Sequence, residues 1–256
     1  GPYADGRFER RVHGRFNYTS WEPGPAMHVC GDLIAPSSWL APDGRRIVIT
    51  WIAEGRTPEA MARAGWAGIM SVPWEMRPGP DGSVRVSPVR ELEGLRGMYR
   101  SLEGAFADDG EQILPGIAGD TIELRAEIDP GSADEAGLKL RCDLGGEEET
   151  VVTWYRGSSR ITLDVSRSSA DPEFVGRDPQ VADLDHDPDQ PLPLRIFLDR
   201  SVVEVFAGDR VLLTKRIYPQ RTDSIGTRFF ARGGRASLRS LESWQLRPCR
   251  YSSLEA

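Results

Sequence analysis

Short β-rich runs cut by turn residues constrain this chain more than any other feature. The chain contains 27 glycines and 19 prolines. Between them lie apolar and β-branched runs at 45–53, 66–76, 82–89, 120–128, 137–144, 149–155, 159–165, 192–199, 201–208, 210–218, 226–232 and 237–246. Several alternate apolar with polar residues, as half-buried strands do. Ile161 and Leu163 keep this period, as do Leu192, Leu194, Ile196 and Leu198, and Val203 and Val205. Helical periodicity is weak. Its one candidate, "TPEAMARAG" at 57–65, is read as either a short helix or a loop. The fold class is therefore all-β.

The runs divide near residue 95. About four strands between Ala35 and Val89 match the size and content of one propeller blade. The stretch before Ala35, "GRFERRVHGRFNY", reads as the tail of a preceding blade. After the division, strands recur at roughly ten-residue spacing, the pattern of an antiparallel sandwich. The boundaries expected are 1–92 for an incomplete propeller part, 93–104 for a connector, 105–250 for a lectin-like β-sandwich and 251–256 for a tail. The polar, Asp- and Pro-rich stretch 166–191 reads as a long surface loop. A lone blade leaves two apolar faces uncovered. Either it packs on the sandwich or the chain is the C-terminal part of something longer.

Composition removes several classes of function. The 256 residues carry 32 basic and 39 acidic side chains, a net charge of −7, with no basic block. Nucleic acid is not an expected partner. No apolar run approaches the ~18–20 residues of a membrane-spanning helix, so no membrane partner is expected. No signal peptide is visible; the opening Gly1-Pro2 reads as a protease scar or a cut edge. Cys30, Cys142 and Cys249 are far apart, and His13, His28 and His186 are isolated. That pattern supports neither a zinc site nor a disulfide framework, and no cofactor is expected.

Two blocks carry a resemblance. The first is "FLDRSVVEVFAGDRVLLTKRIYP" (197–219), with Asp199-Arg200-Ser201, Val203-Glu204-Val205-Phe206, Thr214, Arg216, Tyr218 and Pro219 in order. The second joins "GDLIAPSSWLAPDGRRIVITWIAEGR" (31–56) to "GWAGIMSVPWEMRPGPDGSVRVSPVRELEGLR" (65–96). They resemble the last propeller blade and C-terminal sandwich of glycoside hydrolase family 32, the invertases, levanases, inulinases and related β-fructosidases. The resemblance runs from about residue 6 to residue 247. It implies the end of a five-bladed propeller followed by a β-sandwich. It also implies that the complete enzyme cleaves β-fructosidic bonds in sucrose, inulin or levan by double displacement without a cofactor.

Departures from the pattern bear on activity. The family's nucleophile lies in Asn-Asp-Pro-Asn-Gly, its transition-state stabiliser in Arg-Asp-Pro and its acid/base in Glu-Cys. This sequence has neither the first nor the last. Its one Arg-Asp-Pro, in "GRDPQ" at 176–180, falls in the sandwich, and is read as a Pro-fixed turn. Retaining glycosidases hold two carboxyls ~5–5.5 Å apart across the scissile bond, and no pair here matches the family's. Ile34 stands where the family commonly has Tyr, Thr50 where it has Gly, and Trp74 where it has Arg.

No catalytic residue is therefore assigned. The resemblance makes Trp51 a fructose-pocket residue, since an aromatic face suits the apolar face of a sugar; the competing reading is a core Trp. Asp32 reaches the same pocket or is an exposed loop carboxylate. Asp199 and Glu204 flank an expected tight hairpin. They form an acid/base dyad, or a turn Asp and a Glu paired with Arg195 or Arg216. Trp66, Trp74, Trp154 and Trp244 read as packing residues. The chain is expected to be the C-terminal portion of a β-fructosidase, inactive alone. Its partners would be a fructose-containing oligosaccharide in the complete enzyme and an N-terminal propeller half on another chain. The alternative is a carbohydrate-binding or propeller-completing module.

Overall fold

A computed structural model describes residues 3–9 and 33–249. Strands β1 (Tyr3–Ala4) and β2 (Arg7–Phe8) pair across Asp5-Gly6, both at positive φ as a tight two-residue hairpin requires. Then comes a small antiparallel sheet of β3 (Leu33–Leu40), β4 (Arg46–Ile52), β5 (Ile69–Met70), β6 (Trp74–Pro78) and β7 (Val84–Pro88). Its order is β3-β4-β6-β7, with β5 extending β4 on its other end. This is the blade expected between Ala35 and Val89, begun two residues earlier. Pro36 is tolerated because β3 is an edge strand and its register shifts between Ile34 and Ser37.

The helix candidate forms α1 (Pro58–Ala64). Thr57 caps it by accepting from the Ala60 N–H, Pro58 starts it, and left-handed Gly65 ends it. A 3-10 helix, Arg90–Leu95, leads directly into β8 (Arg96–Ala118). The chain thus enters the sandwich at Arg96, and most of the segment read as a connector, 93–104, is strand.

The sandwich continues with β9 (Thr121–Asp129), β10 (Glu135–Cys142), β11 (Thr150–Tyr155), β12 (Arg160–Asp164), β13 (Gln180–Asp183), β14 (Leu192–Asp199), β15 (Val202–Ala207), β16 (Val211–Arg216) and β17 (Gly226–Leu246). β8 and β17 run as a long ribbon through both leaves. The first half of β17 pairs with β10, which leads to β11, β12 and β13; the second half pairs with β9, which leads to β14, β15 and β16. The ribbon turns the corner at Asp109, Gly233 and Gly234, where the β17 register shifts. Gly234 has φ 140°, and a Cβ there would lie 2.6 Å from the Ser132 carbonyl oxygen, so only glycine fits. The leaves almost close on themselves. At their free edges the Gln180 Oε1 of β13 accepts the Thr214 N–H of β16 at 2.7 Å.

Every residue of β15 and β16 is buried, although the alternation of Val203 and Val205 reads as that of a half-buried strand. One face, with Val203, Val205, Val211 and Leu213, joins the sandwich core of Leu138, Trp154, Ile161 and Leu163. The other, with Val202, Phe206 and Leu212, joins Phe197 and the blade residues Ile47, Val48, Ile52, Trp74 and Val86 in a second core. These two strands are covered on both sides, and their polar residues Glu204, Thr214, Lys215 and Arg216 are buried with the apolar ones. The sandwich therefore covers one face of the blade. Backbone bonding continues across the seam, with the Val86 N–H donating to the Asp209 carbonyl at 2.8 Å.

Trp74 is fully buried in this shared core. Trp74→Ala should cost ~3–5 kcal/mol through lost burial and a cavity. Urea unfolding followed at Trp154, in the sandwich core, is expected to shift with it as one transition. A Trp154 transition unchanged by the substitution would show that blade and sandwich unfold independently.

Candidate functional site

The blade's last inner positions place an aromatic group at its surface. Trp51, on β4, is 39% exposed and pairs with Ile34 and Met70. It is not the core residue of the competing reading. Its indole rests on Gly68: a Cβ there would lie 2.0 Å from the Trp51 Nε1, and Gly68 has φ +70°. Trp66, two residues earlier, is 47% exposed, so it is not the packing residue expected from sequence. The Arg56 and Arg216 guanidiniums lie 4.4 and 5.3 Å from its ring centroid, which explains how a large aromatic is held at the surface. Trp74 and Trp154 are buried as expected. Trp244 is half-buried, tilted on Tyr99 with Arg96 at 4.0 Å from its ring. Asp32, the other pocket candidate, lies outside the described residues, as do Cys30, His13 and His28.

Under the two tryptophans is a carboxylate that sequence reasoning missed. Glu54 accepts from the Gly55 and Arg56 N–H groups, from the Arg56 Nε at 3.0 Å and Nη2 at 2.8 Å, and from the Gly68 N–H at 3.2 Å. It also accepts from the Tyr218 hydroxyl of the sandwich. Burial pushes its carboxyl up, but the Arg56 and Tyr218 hydrogen bonds and the Arg216 charge outweigh this and hold it down at about 2. Burial raises the Tyr218 hydroxyl against the Arg216 charge, and the neighbouring Glu54 adds to the rise, so Tyr218 stays a donor. "AEGR" in the sequence shows only an acid two residues before a base; the Tyr218 partner is 164 positions away.

The stretch 166–191 is not simply an open loop. Phe174 is buried edge-on against Tyr218, and the backbone at Glu173 and Val175 bonds to Thr57 and Gly55 of the blade. In "GRDPQ", the Arg177 guanidinium donates to the carbonyls of Ser166, Ser169 and Asp171, and Asp178 is exposed. Gln180 closes the sandwich edge. These letters brace a loop.

The structure contradicts the dyad and the Glu204–arginine pair, while Asp199 does lie at the hairpin turn. Asp199 is exposed at the hairpin, whereas Glu204 is 1% exposed in the seam. A dyad for a sugar needs both carboxyls within reach of substrate. The arginines go elsewhere: Arg195 to Glu123 at 2.6 Å and Arg216 to the Ser201 carbonyl at 3.0 Å. Glu204 instead accepts the Val72 N–H of the blade at 2.7 Å, and its other oxygen has no partner among the described residues. Among the described residues no group of three or more His, Cys, Asp or Glu side chains gathers as a metal site does. The site can present aromatic faces and fixed hydrogen-bonding groups. Glu54, fully engaged and held ionised, is no proton donor.

A blade backed by a two-leaf sandwich, with tryptophans at the blade surface, defines an all-β architecture. The family model for the C-terminal part of glycosyl hydrolases family 32 matches residues 91–245. The chain belongs to glycoside hydrolase family 32. It is 31% identical over 237 residues to a sucrose-6-phosphate hydrolase of Zymomonas mobilis, covering 88% of this chain and 43% of that protein. A levanase of Bacillus subtilis is 32% identical over 224 residues, 82% of this chain and 32% of the levanase. In fold it is similar to fructan 1-exohydrolase IIa of Cichorium intybus, with TM-score 0.77 and 19% identity over 87% of this chain and 49% of that one. The chain spans less than half the length of each of these relatives.

Burial pushes the Glu204 carboxyl from 4.5 up to about 8; the Val72 N–H opposes this and the Asp199 charge adds to it. Between those values the unfolded chain has released the proton and the folded chain retains it. Stability therefore falls as pH rises from 4.5 to about 8. Urea midpoints at the two ends of this window check the slope, and Glu204→Gln should flatten it. An equal slope in the variant would place the titrating group elsewhere.

Proposed function

We propose that this chain is the C-terminal portion of a β-fructosidase, a last propeller blade plus its sandwich, and that Trp51 forms part of the fructose-binding wall in the complete enzyme. The observation that carries this is the exposed Trp51 indole, held on Gly68 at the end of a blade strand whose opposite face the sandwich covers. An aromatic face left at the surface by a well-packed strand suits the C–H face of a sugar ring. The family match over 91–245 and the order of the two blocks support the same reading. Sucrose, inulin or levan are the substrates proposed for the complete enzyme. Asp32, one residue before β3, is proposed for the same pocket.

The bond-cleaving acids are proposed to lie outside these residues. Glu54 is locked into its arginine and tyrosine partners, and Glu204 is sealed in the seam. The N-terminal propeller part, on the same or another chain, would supply the nucleophile and the acid/base. A second reading, a carbohydrate-binding module, is favoured only by the pair of exposed tryptophans at 51 and 66.

Incubation of the purified 256-residue chain with sucrose, inulin or levan is expected to release no fructose. Joined to a family 32 N-terminal propeller part it should release fructose, with KM raised by Trp51→Ala. Fructose release by the isolated chain, lost in Asp178→Ala, would overturn the placement of the acids.

A further inference from the structure

We infer that Tyr218, a residue of the sandwich, is a positioning residue for Trp51: its hydroxyl, through Glu54 and Gly68, ties the floor under the indole to the sandwich frame. This rests on the proposed reading of Trp51 as a sugar-contacting residue. The links are all direct. The Tyr218 hydroxyl donates to the Glu54 Oε1, and the Glu54 Oε2 accepts the Gly68 N–H at 3.2 Å. Gly68 touches the indole so closely that a Cβ would lie 2.0 Å from the Trp51 Nε1. Movement of the Gly68 backbone is therefore movement of the surface on which Trp51 lies.

Arg56 binds Glu54 through more hydrogen bonds than Tyr218 does, but it plays a different part. Arg56 is two residues along the same blade loop and moves with Glu54. Tyr218 follows β16 and belongs to the sandwich. Its ring is wedged edge-on against Phe174 at 5.4 Å, with the Arg216 guanidinium 5.0 Å from its centroid. Arg216 is itself anchored to Ser201 at 3.0 and 2.9 Å. The hydroxyl is thus a fixed point from outside the loop. Charge-assisted hydrogen bonds of this kind give orientation as well as energy. A binding wall held to within fractions of an ångström needs such a supporting group behind it.

Packing and positioning can be separated because Tyr218→Phe keeps the ring and removes only the hydroxyl. The test is the indole N–H spectrum of the 256-residue chain labelled with 15N-tryptophan, with Trp51→Phe used to assign the Trp51 peak. In Tyr218→Phe the Trp51 peak is expected to shift and broaden while the peak of Trp154, buried in the sandwich, stays in place and reports an intact fold. Glu54→Gln, which retains the shape but loses the charge, is expected to move the same peak. A Trp51 peak unchanged in either folded variant would overturn the proposal. Titration with 1-kestose of the chain joined to a family 32 N-terminal propeller part tests the underlying reading separately. A Trp51 peak unmoved by 1-kestose but moved in Tyr218→Phe would count against the sugar contact and leave the positioning role standing.

Discussion

The apolar seam between the blade and the outer face of β14–β16 is the constraint on which the rest depends. A small antiparallel sheet has two faces, and a single blade has no neighbour of its own to cover either. Here Phe197, Val202, Phe206 and Leu212 of the sandwich close one of them against Ile47, Val48, Ile52 and Trp74. That contact makes β15 and β16 doubly buried and sets which side of the blade remains open. It also fixes the end of β4, and with it Trp51, relative to the sandwich. Without the seam the tryptophan would have no frame.

Buried polar groups, in the seam and away from it, follow one rule. Taking a charge out of water is costly unless hydrogen bonds replace the water. Glu123 meets this need with Arg96 and Arg195, at 2.7 and 2.6 Å, where the chain enters the sandwich. Glu148 does so with the N–H groups of Ala170, Gln220 and Arg221 and the Ser224 hydroxyl, stapling two loops to the sandwich end. Glu54 joins blade to sandwich through Tyr218. Glu204 is the exception: with only one hydrogen bond from Val72 it keeps its proton instead. The same cause, burial, gives opposite protonation in Glu54 and Glu204 because one has cationic partners and the other does not.

The fold was largely legible in the sequence because alternation and turn residues act locally. The blade strands and most sandwich strands need only neighbouring residues to be read, whereas 57–65 was open between helix and loop. What was missed depends on distant partners. β8 contains Gly104, Asp108, Asp109, Gly110, Pro115 and Gly116, which read as turns; it is a strand because β17 pairs along its length. β17 reads as two runs because Gly233-Gly234 mark a corner that continues through the ribbon. At the site, Trp51 followed from a resemblance and its exposure agrees with a surface role. Glu54 was not singled out and Tyr218 only as a letter of the resemblance, since their contact spans 164 positions. Glu204 was read as a dyad or ion-pair residue, but its partner is a backbone N–H of the blade that no side-chain pattern encodes.

Amide hydrogen exchange in a seam variant tests this account most directly. Phe206→Asp places a charge on the blade-facing side of β15, while the sandwich interior behind it is lined by Val203 and Val205. The account predicts that the amides of Val48, Ile52 and Met76 in the blade lose their protection, while those of Leu138, Val152 and Ile161 in the far leaf keep theirs. Blade amides that remain as protected as in the unmodified chain would contradict it, because the blade would then be stable without the face that covers it.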